Sequence, residues 1–312
     1  MTNRTSLRQG VSARIDPAMR VSEFQGTTAG LLCLALGILL SCHKVKEEAG
    51  IDTPRLSSKV RMQDVTFHSA ALDRDMPYRV ILPKNNAGAH KLPAVYLLHG
   101  RGDHFRDWSN STDVSPLAER GLILVMPEGD SSYLTNAVER PQDRYEDYIV
   151  KDLIHDVESR FPVAAGRQSR AIAGVSMGGY GAVKLALRYP ELFAFAGGLS
   201  PAVDVPSRPF SIRRPFQSRF YSSIFGPTGS QTRRDNDPFV LARSANPKTS
   251  PYLYLECGDQ EGLLPANRDF AELVEQHHLP HEFHVVAGDH NWAQWNRIMP
   301  GLFASLLQHI QL

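Results

Sequence analysis

Arg170-Ala171-Ile172-Ala173-Gly174-Val175-Ser176-Met177-Gly178-Gly179-Tyr180-Gly181-Ala182-Val183-Lys184-Leu185-Ala186-Leu187 is the stretch from which the rest of the chain can be read. Ser176 stands in a G-x-S-x-G frame, with the strand-like residues 170–173 before it and the helix-compatible residues 182–187 after it. A strand, a tight turn and a helix in that order present a serine hydroxyl at the end of a sheet, the arrangement called a nucleophile elbow. Gly174 and Gly178 have a steric purpose there, because so sharp a turn leaves no room for side chains two residues to either side of the serine.

Working outward, residues 92–98 and 122–126 are almost continuous apolar runs, as strands buried on both faces require. Residues 60–68 and 78–82 read as two antiparallel strands joined by a turn at residues 72–75. Tyr145, Ile149, Leu153, Val157 and Phe161 recur every fourth residue among charged neighbours and predict an amphipathic helix. Residues 193–199, 252–256 and 281–286 read as further strands, and residues 267–279 and 292–310 as helices. Strands alternating with helices call for an α/β fold with a mainly parallel central sheet and helices on both faces. Residues 201–251, rich in Pro, Ser and Arg, break this rhythm and are expected to be an irregular, cap-like insert before the acid-bearing strand. Its aromatics Phe210, Phe216, Phe220, Tyr221 and Phe225 can line a pocket or fill the insert's own small core.

With 312 residues, 42% hydrophobic and 21% charged, the chain can bury a sizeable core, and a net charge of +1 gives no reason to expect a nucleic-acid partner. At the N-terminus, Arg4, Arg8, Arg14 and Arg20 precede an uncharged apolar run over residues 29–40. That run is short for a bilayer span and suits the apolar region of a secretory signal. It ends in Leu39-Leu40-Ser41-Cys42, which resembles a bacterial lipoprotein signal. The expectation is a signal peptide over residues 1–41, lipidation of Cys42, a tether over residues 42–57 and a catalytic domain over residues 58–312. The domain would then lie in the periplasm or at the cell surface, held to a membrane by the lipid. Removing residues 1–41 leaves 30 basic against 31 acidic side chains. Cys33 would leave with the signal, so Cys257 would have no partner for an internal disulfide.

A serine nucleophile needs a base to take its proton and a third group to orient that base. On an α/β sheet of this kind the chain order is serine, acid, histidine. His277, His278, His281 and His284 fall within predicted helix or strand and read as surface or satisfied side chains. His290, in Gly288-Asp289-His290-Asn291-Trp292, follows the last strand, where such sheets collect their active sites. The acid is Asp259 or Glu261, both in Cys257-Gly258-Asp259-Gln260-Glu261-Gly262; Asp289 adjoins the histidine too closely in sequence. The backbone N–H of Met177, at the start of the helix after the serine, is placed to stabilise an oxyanion. Trp108 and Tyr133 lie in loops at the same end of the sheet and are candidate substrate contacts. Neither a metal nor an organic cofactor is expected.

Tyr96-Leu97-Leu98-His99-Gly100, the serine stretch through Ala182, Cys257-Gly258 with its acids, and Gly288-Asp289-His290-Asn291-Trp292 with Trp295 together resemble the "putative esterase" family of α/β-hydrolases. That family includes feruloyl and acetyl-xylan esterases, S-formylglutathione hydrolases and mycolyltransferases. The resemblance covers residue 58 to the C-terminus. It implies an α/β-hydrolase fold and a serine carboxylesterase forming an acyl-enzyme on Ser176, with a small-molecule or carbohydrate ester as substrate. It also implies Glu261 as the acid, where many members carry aspartate, and the N–H of Arg101 as the second oxyanion donor. The same residues would serve an acyltransferase of the mycolyltransferase kind or a thioesterase such as an S-formylglutathione hydrolase. A catalytically silent surface binding module is the reading from another class.

Overall fold

The computed structural model describes residues 51–85 and 90–312. The expected signal peptide, Cys42 and the first part of the expected tether lie outside the described residues. Eight strands form one sheet: β1 (Val60–Ser69), β2 (Arg74–Pro83), β3 (Ala94–Leu98), β4 (Ile123–Pro127), β5 (Arg170–Val175), β6 (Phe195–Leu199), β7 (Tyr252–Gly258) and β8 (His281–Val286). Their spatial order is β1-β2-β4-β3-β5-β6-β7-β8. The first two pairings, β1 with β2 and β2 with β4, are antiparallel, and every other pairing is parallel. The expected fold class is thus present, with β5 near the middle of the sheet.

Alternation along each strand divides the core in two. Tyr96, Leu98, Ile172 and Leu255 belong to one buried cluster. Val95, Leu97, Ala173 and Leu199 belong to the other. The first face is covered by three helices. They are α3, in the joined pieces Tyr145–Asp147, Tyr148–Leu153 and Ile154–Arg160, then α4 (Met177–Arg188) and α8 (Leu264–Gln276). The second is covered by α1 (Asp107–Ser111), α2 (Ser115–Glu119) and α9 (Trp292–His309), whose Trp295, Ile298, Met299, Leu302 and Leu306 form one buried stripe. The middle piece of α3 is π-helical. A stripe spaced strictly at four residues drifts around an α-helix, and the wider turn of that piece keeps Tyr148, Ile149 and Leu153 on the sheet.

Two sequence expectations are corrected. Residues 51–57 are not a free tether. Arg79 in β2 is fully buried, and a buried guanidinium needs anions. It takes Asp64 from β1 and Asp52 from the supposed tether, at 2.7 Å each. The insert is not irregular either, since it holds α5 (Pro215–Phe225), α6 (Gln231–Asp235) and α7 (Pro238–Ser244). In α5 the residues Phe216, Phe220, Tyr221, Ile224 and Phe225 recur at helical spacing, while α6 and α7 are too short to show a period; the ends of all three carry capping chemistry. Pro215 and Pro238 sit in the first turns, Gly226 follows α5, and the side chains of Ser230 and Asp237 accept from the N–H groups of Arg233 and Phe239.

The insert is tied to α4 by a buried polar knot. Lys184 is fully buried and donates to Leu134 O (2.6 Å), Thr135 Oγ1 (3.1 Å), Glu146 Oε2 (2.8 Å) and Asn236 Oδ1 (3.3 Å). The Tyr180 hydroxyl donates to Asn236 O at 2.8 Å. Burial alone would raise the Glu146 carboxyl, but the charge of Lys184 outweighs it and holds the group below the usual range. Arg188 also reaches Glu146, at 3.1 Å, but removing Lys184 strips the buried carboxylate of its closest cation and leaves three further acceptors without their donor. Lys184→Met is therefore expected to cost about 3–5 kcal/mol in urea unfolding.

A second clamp holds the turn after β3. The charged ring of His99 donates from Nδ1 to Gly100 O at 2.7 Å and from Nε2 towards Glu128 Oε1, which also accepts from Gly129 N–H at 3.1 Å. Glu128 accepts from the N–H groups of Phe105 and Asp130 and lies 3.2 Å from His99 Nε2. Burial would raise its carboxyl, yet bonding to His99 and the charge on that ring push it down from 4.5 to about 2. A depressed carboxyl stabilises the fold above its unfolded value and loses that contribution as the pH falls through the folded value. Glu128 should thus supply on the order of 3 kcal/mol at neutral pH, lost between about pH 4.5 and pH 2. Glu128→Gln is expected to lower stability at pH 7 and to flatten that acid limb, measured as urea midpoint against pH.

Candidate active site

Ser176 sits between β5 and α4 with φ at 54° and ψ at −111°, a conformation that side chains rarely adopt. Neighbouring backbone holds it there. Ser176 N–H donates to Leu199 O at 2.8 Å, and Ser176 O accepts from Tyr180 N–H and Ala202 N–H. A Cβ on Gly178 would collide with Leu98 O, and one on Gly174 with the backbone of Gly178. These are the two glycines the sequence singled out for steric reasons.

His290 lies in the loop between β8 and α9. Its Nε2 is 2.9 Å from Ser176 Oγ and its Nδ1 is 2.7 Å from Glu261 Oε2. A carboxylate only accepts, so Nδ1 carries the hydrogen and Nε2 is left to accept from the serine hydroxyl. The Glu261 side chain is fully buried, whereas that of His290 is 35% exposed. Asp259 is exposed instead, accepting from Gly288 N–H and from the Gln260 amide. Asp289 turns back to its neighbour's backbone, accepting from His290 N–H at 2.7 Å. The structure thus brings Glu261 to the imidazole and leaves both aspartates outside.

Glu261 is fixed through its other oxygen. Oε1 accepts from Ser200 Oγ (2.6 Å), Gln294 Nε2 (2.8 Å) and Gly258 N–H (2.9 Å). Burial alone would raise this carboxyl, but the bonds from His290, Ser200 and Gly258 outweigh it and keep it below its ordinary value. Sequence reasoning missed Ser200 and Gln294. Ser200 directly follows β6 at the active end of the sheet, and Gln294 lies in the first turn of α9 behind the Asn291 cap. Position alone could have drawn notice to them, because neither carries a motif. Trp295 closes this side, with Nε1 donating to Ser200 Oγ at 3.1 Å and its ring edge-on to His290.

Met177 is the first residue of α4, where a backbone N–H has no acceptor within its own helix. Arg101 and Tyr133 line the same cleft as Ser176 and His290, a cavity of about 780 Å³. Tyr133 is packed edge-on against Tyr180, Tyr221 and Phe225. Burial, then the neighbouring Tyr221, raises its hydroxyl far above the usual phenol value and keeps it protonated. Trp108 is a correction. It is fully buried inside α1, with its indole N–H donating to Leu98 O at 2.9 Å, so it braces the end of β3 and does not reach the cleft. The insert aromatics divide: Tyr221 lines the cleft, Phe225 is buried beside it, and Phe210 and Phe216 are exposed. His281 and His284 bond Leu279 O and Glu282, far in sequence from the serine and outside the cleft lining. Among the described residues no cluster of three or more His, Cys, Asp or Glu side chains is arranged to hold a metal.

Comparison with known proteins fits this geometry. The chain is 25% identical over 257 residues to an acetyl esterase of Caldicellulosiruptor saccharolyticus, an alignment covering 78% of this chain and 96% of that protein. It is 27% identical over 257 residues to an esterase of Mycobacterium tuberculosis, covering 72% of this chain but only 54% of the relative, so it spans about half of that protein's length. Among solved structures it resembles the fluorophosphonate-binding serine hydrolase FphF of Staphylococcus aureus, with a TM-score of 0.69 and 25% identity, covering 80% of this chain and 98% of that one. The family model described as "Putative esterase" matches residues 69–306, well over half the chain, and the protein belongs to that family of ester hydrolases.

Proposed function

We propose that the protein is a serine carboxylesterase that hydrolyses acyl esters, acetyl esters of carbohydrates foremost, through an acyl-enzyme on Ser176. The observation that carries this reading is the unbroken hydrogen-bond chain from Ser176 Oγ through His290 to a buried Glu261, opening into a cleft. The acetyl preference draws on the acetyl esterase relative, which the chain matches over nearly that protein's whole length.

Ser176 Oγ attacks the ester carbonyl carbon as its proton passes to His290 Nε2. Glu261 steadies the resulting imidazolium, and the carbonyl oxygen takes the displaced electron pair. The N–H of Met177, and that of Arg101 after the His99-Gly100 turn, stabilise this oxyanion at a point where the α4 dipole also favours negative charge. Collapse expels the alcohol, which takes the proton from His290. Water then attacks the acyl-serine with His290 again as base, releasing the acid and restoring the hydroxyl. Tyr133 and Tyr221 form the wall where the substrate's leaving part would rest.

The N-terminal reading is also a proposal: residues 1–41 direct export, and Cys42 is lipidated so that the enzyme works at a membrane face outside the cytoplasm. Mass spectrometry of the mature N-terminus tests it, and an intact residue 1 on exported protein would refute it.

For the chemistry, Ser176→Ala should abolish hydrolysis of 4-nitrophenyl acetate. Glu261→Gln should lower kcat/KM by roughly 10³-fold or more, since the imidazole loses its orienting charge, whereas Asp259→Asn should stay within about threefold of the parent. Retained activity in Ser176→Ala, or a larger loss in Asp259→Asn than in Glu261→Gln, would overturn the assignment.

A further inference from the structure

The cleft above Ser176 holds more positive charge than ester hydrolysis uses. Arg101, Arg208 and Arg214 all line it, the last two from the insert. Two carboxylates share the space and neither is free. Glu261 is turned to His290, and Asp204 is gripped by Arg208 through two hydrogen bonds of 2.8 and 2.7 Å. Arg101 and Arg214 have no ion-pair partner among the described residues. The charges of Arg101 and Arg208 both act on the Tyr133 hydroxyl, opposing the burial that raises it, so both guanidiniums lie within electrostatic reach of one point on the cleft wall.

Arg208 is also fixed in place. Its carbonyl accepts from Arg233 Nη1 at 3.0 Å, and Arg233 bonds Pro206 O and Gly226 O as well. Like charges gathered around a cavity repel, and an anion entering between them relieves that repulsion while gaining charge-assisted bonds. A planar guanidinium suits a carboxylate or phosphate, which can take two parallel N–H bonds. A neutral ester would leave the exposed Arg101 and Arg214 to solvent and gain nothing from their charge.

We propose that the cleft selects esters whose alcohol part carries a carboxylate or phosphate, held by Arg101 and Arg214 against the wall that Arg208 completes. An acylated acidic sugar is the natural form of such a substrate. The inference rests on the esterase reading and names the substrate class of that site.

Three esters built on one phenyl acetate core test it: 4-acetoxyphenylacetate (carboxylate), 4-acetoxybenzylphosphonate (phosphonate) and 4-acetoxyphenylacetamide (neutral). At low ionic strength kcat/KM for an anionic ester should exceed that for the amide by about tenfold, and the advantage should shrink as salt rises. A carboxylate advantage points to acidic sugars and a phosphonate advantage to phosphorylated ones. Arg214 is exposed, so Arg214→Gln does not threaten the fold; it should cut the anion-to-neutral ratio by about threefold or more, and Arg214→Lys should restore part of it. Equal kcat/KM for all three esters, or a ratio unmoved by Arg214→Gln, would overturn this inference and leave the esterase reading intact. No turnover of any of the three would overturn the esterase reading and this one with it.

Discussion

The carbonyl oxygen of Leu98 lies where a side chain on residue 178 would have to begin. That contact presses the start of α4 against the end of β3, and much of the site depends on it. It brings the N–H of Met177, at the head of α4, beside the His99-Gly100-Arg101 turn that follows β3. The same oxygen accepts from the buried indole of Trp108, so a residue that never reaches the cleft still sets the position of its floor. The positive φ of Ser176 is local strain of the order of 1–3 kcal/mol, tolerated because Leu199, Tyr180 and Ala202 bond its backbone from both sides.

Glu261 shows how a buried carboxylate can be held without losing its use. Three donors converge on Oε1, and Oε2 faces His290. Had those donors been spread over both oxygens, the imidazole would have competed for its partner. Ser200 and Gln294 are thus positioning residues, and they come from two elements, the end of β6 and the start of α9, that only the folded sheet brings together. Trp295 makes the arrangement denser by donating to Ser200 while its ring stands edge-on to His290.

What could be read in advance follows from which signals are local. The buried strands announce themselves as apolar runs, α3 as a periodic stripe, and the serine as a motif with glycines at fixed offsets. His290 was legible because a loop after the last strand is the position the chain order requires. Asp259 and Glu261 could not be separated by spacing, since the choice depends on which side chain the turn after β7 sends inward; the family resemblance favoured Glu261, and the fold buries it. Trp108 was misread because loop membership says nothing about direction, and the short helix α1 turns it into the core. Asp52 looked like part of a tether because its partner Arg79 is 27 residues away. The insert looked irregular because Pro, Ser and Arg dominate its composition, although α5 buries Tyr221, Ile224 and Phe225.

A buried lysine bears on how the insert works. Lys184 lies in α4, two turns beyond the serine, and its bonds reach Leu134 and Thr135 next to Tyr133, Glu146 in α3 and Asn236 in the insert. A point charge with several fixed acceptors cannot be shared among elements that move independently, because each lost contact would leave a buried polar group unpaired. The insert is therefore registered to the same helix that presents Ser176, and Tyr221 and Arg208 stand at set positions relative to the hydroxyl. The segment with the least regular sequence thus supplies a preformed wall of the cleft, held in register with the helix that carries the serine.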